Sequence, residues 1–131
     1  MSEWIVPCNA KKFDIFKHLQ ANNEIAFKRV GALRKDDTAY IYLSSPYSEI
    51  KFRCTVINDQ MSTEELDKHP YAVDKFSANR YILIRIDEEY EHGSLPLAKL
   101  KENGLGQVQR QARADGKLLN YIKDNGQVKG A

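Results

Sequence analysis

Cysteine is scarce in this chain: of 131 residues, only Cys8 and Cys54 carry a thiol. That excludes a small scaffold stapled by several disulfides. Two such thiols are expected as small buried hydrophobes, although a bridge between them is sterically open on the sequence alone. Histidine is rare as well. His18, His69 and His92 lie far apart, and none stands at ligand spacing from a cysteine, so no metal is expected. Neither a G-x-G-x-x-G turn nor a Walker pattern occurs, and Gly104 and Gly106 alone do not make a phosphate loop. No apolar run approaches the ~20 residues of a membrane span. The opening MSEWIVPCN has no basic segment ahead of an apolar one, so neither a signal peptide nor a membrane partner is expected, and the expected location is cytoplasmic. Excess charge is missing too. The net charge of +2 neither demands nor excludes a nucleic-acid partner, because a local patch can hide in a balanced total.

What is present is the composition of one globular domain, expected over residues 1–131 with no repeat or linker and with residues 127–131 as a frayed tail. Residues 38–58 organise it. Tyr40, Tyr42 and Ser44 fall on one face, and Ala39, Ile41 and Leu43 on the other. Further on, Ile50, Phe52, Cys54 and Val56 share a face, opposite Lys51, Arg53 and Thr55. This period of two predicts a hairpin whose polar turn carries Ser44, Ser45, Pro46, Tyr47 and Ser48.

Around the hairpin, residues 4–8 read as a first strand that Pro7 brings to its end. Asn9 stands as the N-cap of a helix over 11–22, with Phe13, Ile15, Phe16 and Leu19 buried. Residues 24–30 predict a short strand against the hairpin, and 63–68 a short helix. Residues 80–87 predict a central strand, apolar on both faces. Residues 94–103 predict a helix capped by Ser94, and Asp115 caps a last helix with Leu118, Leu119 and Ile122 inward. Residues 104–114 (GLGQVQRQARA) carry Gln and Arg with little apolar pattern. Strands and helices without regular alternation predict an α+β fold with a small curled, barrel-like sheet flanked by short helices.

Catalytic groupings are thin. Cys8, after a strand and before a helix start, is the one candidate nucleophile, and no His or acid is tied to it by a motif. Asp36-Asp37, Glu64-Glu65 and Glu88-Glu89 stand in turns or helix first turns, where acids are ordinary. No catalysis is therefore expected, and no cofactor. A binding constellation remains: Trp4, Phe27, Tyr40, Tyr42 and Tyr47, near Asn9, Ser44 and Ser45, with Lys28, Arg29, Arg34, Lys51, Arg53, Arg110 and Arg113 in the same segments. Rings stack on bases, amides and hydroxyls read base edges, and cations hold phosphates. The plainer reading is that the rings fill the core and the charges are solvated.

Three stretches resemble an EVE domain, a member of the PUA-like superfamily related to YTH domains. They are WIVPCN at 4–9, YIYLSSP at 40–46, and the segment with Asn103, Gly104, Leu105, Gln107 and Arg110 leading into LLNYI at 118–122. The resemblance implies a PUA-like barrel that recognises a modified base without catalysis. Modified cytosine in DNA, flipped into an aromatic and polar pocket, is favoured over RNA. It also implies a place beside a separate nuclease protein, as the specificity part of a modification-dependent restriction system. Carried over, Asn9 meets the base edge and Cys8 lines the pocket floor. Phe27 stands where many relatives have Trp. Ser44 and Ser45 face the base, Tyr42 or Tyr47 forms a wall, and Gln107 closes the pocket. Lys28, Arg29, Arg110 and Arg113 hold phosphates. The alternatives are a module reading modified RNA and an enzyme using Cys8.

Overall fold

The computed structural model describes residues 2–8, 23–28, 33–61, 81–106 and 111–130, with Phe27 and Lys28 described by their backbone alone. The helices expected over 11–22 and 63–68 lie outside the described residues. In chain order the elements are β1 (Glu3–Cys8), β2 (Glu24–Lys28), β3 (Thr38–Leu43), β4 (Glu49–Met61), β5 (Tyr81–Glu89), α1 (Leu97–Glu102), β6 (Ala112–Arg113) and α2 (Gly116–Asn125).

The strands form one sheet in the order β2-β5-β4-β3-β1-β6. Its pairings are antiparallel except for β1 with β3. The period of two read in the sequence sets its two faces. Ala39, Ile41 and Leu43 join Val6, Cys8, Ile25, Phe52, Cys54, Val56, Ile82 and Ile84 in an inner core. Residues of β1 and β2, far apart in strand order, meet in that one cluster, so the sheet is curled. Tyr40 and Tyr42 project to the other face. There they pack with Ile5, Ile50, Tyr90, Leu95, Leu100, Leu118 and Ile122 beneath α1 and α2. The α+β class and the curled sheet with short helices are as expected.

Several local expectations are corrected. Ile50 does not share a face with Phe52. The β3–β4 register pairs Ile41 with Phe52 but Tyr42 with Ile50, and this bulge turns Ile50 to the helix side. Pro7 does not end β1, which continues to Cys8. Glu3 accepts from Ala114 N–H on the β6 side, so Pro7, of the same parity, points its missing N–H beyond the end of the two-residue β6. β2 pairs with β5, not with the hairpin. The α1 helix begins at Leu97 after Pro96, not at Ser94. Residues 127–130 are not frayed. Val128 bridges Tyr90, Glu91 N–H donates to Gln127 O at 2.6 Å, and Lys129 N–H donates to Glu89 O at 2.7 Å.

No disulfide joins the two buried cysteines, and the register explains why. Trp4, Ala39 and Cys54 lie level across three strands. Cys8 is four residues further along β1, about 13 Å by strand rise and about 10 Å across, well outside the reach of a bridge.

Gly126 is where the tail packs tightest: a Cβ there would stand 2.6 Å from Tyr90 Cε1 and 2.9 Å from Ile122 O. Gly126→Ala is expected to lower stability by about 1–3 kcal/mol through overpacking. Gly106→Ala, where a Cβ meets nothing within 4 Å, should shift the urea midpoint far less. Equal midpoints for the two variants would show that the tail does not press on Tyr90.

Candidate nucleic-acid interface

Three of the expected site residues, Ser44, Ser45 and Tyr47, lie in the turn at the end of the hairpin. Ser44 N–H donates to Cys8 O at 3.2 Å and Tyr47 N–H to Ser44 O at 3.1 Å, so the turn closes over the end of β1. The Ser45–Pro46 peptide is cis, and Ser48 has φ 51°. On its far side the turn is tied to the start of α1, with Leu97 N–H donating to Ser48 O at 3.0 Å. Glu49 fixes the next loop. It is 1% exposed, yet its carboxylate accepts from Gly93 N–H at 2.7 Å and meets His92 Nδ1 at 2.7 Å. A buried carboxylate needs such partners. Its signal in the sequence is slight, a lone acid at the head of an apolar strand.

The candidate residues separate into groups. Ser45 and Tyr47 are exposed in the turn, Ser44 is half-buried beside them, and Tyr47 is the one exposed large hydrophobic side chain among the described residues. Cys8 backs this group through its carbonyl, but its side chain is buried in the inner core. Tyr42 is buried on the opposite face beneath the helices. Those two side chains therefore do not share one wall. Phe27 and Lys28 lie opposite Ile82 and Tyr81 at the other end of the sheet order. Arg113 sits on β6, its guanidinium 5.9 Å from the centre of the Trp4 ring, a cation–π distance. Asn9, Arg29, Gln107 and Arg110 lie outside the described residues.

The other cations of the constellation are engaged. Lys51 is buried, donating to Tyr90 O at 2.7 Å, with Glu89 Oε2 at 3.6 Å. Arg53 pairs with Glu88 at 2.7 Å, and that bond holds its guanidinium above the usual range. Arg85 meets Asp87 at 2.9 Å, and Thr55 Oγ1 donates to the same carboxylate. This ladder across β4 and β5 pairs its own charges, so Lys51 and Arg53 are structural. Tyr40 Oη donates to Glu3 Oε1 at 2.8 Å, and Lys123 lies 3.6 Å from the other oxygen of Glu3. Burial pushes the Cys54 thiol well above its ordinary range, which makes it inert at neutral pH.

No family model and no curated protein matches the sequence. Solved structures do match its fold. A variant of the ASCH protein of Zymomonas mobilis superposes with a TM-score of 0.70 at 11% identity, over 94% of this chain and 95% of that one. The parent ASCH structure from the same organism gives 0.66 at 10% identity, over 95% and 96%. A hypothetical protein from Leishmania major gives 0.63 at 13% identity, over 95% and 93%. The chain thus has the PUA-like α+β fold of ASCH domain structures.

Two of the buried phenols, Tyr40 and Tyr90, make stability depend on alkaline pH. Burial lifts Tyr90 to about 12, with Arg53 pulling the other way. Burial and the bond to Glu3 lift Tyr40 further. Unfolded, both titrate near ~10. The folded state therefore keeps protons that the unfolded state has lost. Stability is complete below about pH 10 and falls as pH rises through about 12. Urea midpoints measured across this range should decline in the parent and decline less in Tyr90→Phe. A flat profile in the parent would contradict the burial of these hydroxyls.

Proposed function

We propose that this chain is a non-catalytic module that binds nucleic acid and takes a modified base at the end of its hairpin, with modified cytosine in DNA as the first ligand class. The observation that carries this reading is the turn at 44–48. It presents an exposed ring, Tyr47, beside two serines, and it is held in place on both sides by backbone bonds to Cys8 and Leu97. A ring carried on a fixed turn next to small hydroxyls suits a base turned out of its stack, with stacking worth about 1–3 kcal/mol. The PUA-like fold supports a nucleic-acid ligand by analogy of architecture. The resemblance to EVE domains adds the modified base, and with it Asn9 for the base edge. A methyl group in an apolar notch contributes only ~1 kcal/mol, so discrimination rests on fit and stacking together. In this reading any strand cleavage belongs to a separate nuclease chain that this module directs.

The test is fluorescence anisotropy with short oligonucleotides at low and moderate salt. The panel pairs cytosine with 5-methyl- and 5-hydroxymethylcytosine in single and double strands, beside an N6-methyladenine RNA. Tighter binding to one modified cytosine is expected, weakened about tenfold or more by Tyr47→Ala and also lost in Asn9→Ala. A preference for the RNA would keep the fold and change the ligand. Weak binding that ignores the base and fades with salt would reduce the interaction to backbone contact.

A further inference from the structure

Among the described residues three buried side-chain polar atoms have no hydrogen-bond partner: Trp4 Nε1, Ser94 Oγ and Gln111 Oε1. Ser94 stands apart, in the loop before α1. The other two belong to one place. In the β1–β6 register Trp4 lies opposite Arg113 and Ile5 opposite Ala112, which brings Gln111 level with Val6. Ala112 and Ala114 pack on the helix side. Alternation turns Gln111 and Arg113 to the other face, where Trp4 packs against the inner core beside Val6. The Arg113 guanidinium over the Trp4 ring agrees with this placement.

The seam between β1 and β6 therefore holds an unpaired N–H donor, an unpaired carbonyl acceptor and a cation on one face. Folded proteins rarely leave buried polar atoms unpaired, and each exception calls for a reason. The cation is only loosely held. The Arg113 side chain is 60% exposed, and its ion pair with Asp115 spans 3.7 Å, the kind of contact that contributes little. A donor and an acceptor on one face match the edge of a planar heterocycle, which presents acceptor beside donor. A guanidinium suits the phosphate attached to such a ring.

We propose that the β1–β6 seam is a nucleotide subsite. The base edge accepts from Trp4 Nε1–H and donates to Gln111 Oε1, and Arg113 moves from the Trp4 ring to the nucleotide's phosphate. The inference rests on the nucleic-acid reading and adds a second contact to it, separate from the serine turn.

The chain has one tryptophan, so its emission reports on this seam. The full chain is titrated with cytidine and adenosine 5′-monophosphates, and in parallel with labelled oligonucleotides read by anisotropy. Saturable change in Trp4 emission is expected with both. Gln111→Leu, which replaces the unpaired carbonyl with hydrocarbon, should keep or raise the thermal midpoint while weakening binding about tenfold. A merely structural Gln111 would not separate the two readouts in that direction. Arg113→Gln, a surface change that leaves the fold intact, should weaken binding and flatten its salt dependence. Oligonucleotide binding that leaves Trp4 emission unmoved, or that survives undiminished in both variants, would overturn the subsite and leave the nucleic-acid reading standing. Emission changes with mononucleotides but no oligonucleotide binding would support the seam and overturn that reading. Silence in both assays would overturn both.

Discussion

Strand β3 has no face to give to water, and the rest of the structure answers that constraint. Five of its six residues are buried. Ala39, Ile41 and Leu43 go to the inner core, and Tyr40 and Tyr42 to the opposite side. A sheet buried on one face alone would leave the two tyrosines exposed. They are covered because the chain returns after β5 to lay α1 and α2 across them. The bulge opposite Ile41 and Tyr42 serves the same end, since it turns Ile50 from the inner core to the helix layer, where α1 needs an apolar floor. Each large buried side chain of this kind contributes about 1.5–3 kcal/mol, far more than any ion pair on the surface.

Two tyrosines under helices bring two hydroxyls with them, and the treatment of polar groups follows. Tyr40 finds Glu3, and Glu3 finds Lys123 of α2, so a polar bond stitches the first strand to the last helix. Across β4 and β5 the charges face one another, Lys51 with Glu89 and Arg53 with Glu88, while Arg85 meets Asp87 along β5 itself. Exposed pairs contribute only about 0–1 kcal/mol each to stability. Their larger effect is on what the surface can bind, because cations already matched by carboxylates offer little to a phosphate. The basic residues that looked equivalent in the sequence are thereby sorted. Lys51 and Arg53 belong to the scaffold, whereas Arg113 has, among the described residues, a carboxylate at 3.7 Å and a ring.

How far the sequence could be read follows from the range of the interactions involved. The faces of 39–43 and 82–86 were legible because alternation is local and burial enforces it, on both faces of the first and mainly on the Ile82 and Ile84 face of the second. Helix α2 was legible from Leu118 and Ile122 at helical spacing. The bulge was not, since nothing in Glu49, Ile50 and Lys51 announces that the period breaks there. The pairing of β2 with β5 joins residues about sixty apart (Glu24 with Arg85), and a short apolar strand carries no mark of its partner. The ordering of 127–130 is made by backbone groups, which no residue type advertises. Of the candidate site, the serine turn and Tyr47 were visible as turn chemistry. Cys8 and Tyr42 were visible only as apolar positions, and burial on opposite faces is something that spacing alone could not reveal.

The segment at 104–114 shows the same limit from the other side. Its Gln and Arg content stood out, yet it predicted no strand, because two residues of β6 are too few to show a period. Only the register with β1 gives them meaning. That register sets small residues, Ala112 and Ala114, under the helices and sends Gln111 and Arg113 to the face shared with Trp4. Had packing been the only pressure, an apolar residue at 111 would fill the same space without an unpaired carbonyl, and an acceptor for Trp4 Nε1 would be simple to supply. A protein that forgoes both keeps an unsatisfied donor and acceptor together in its fold. Such local conflicts are expected where binding, rather than stability, sets the residue.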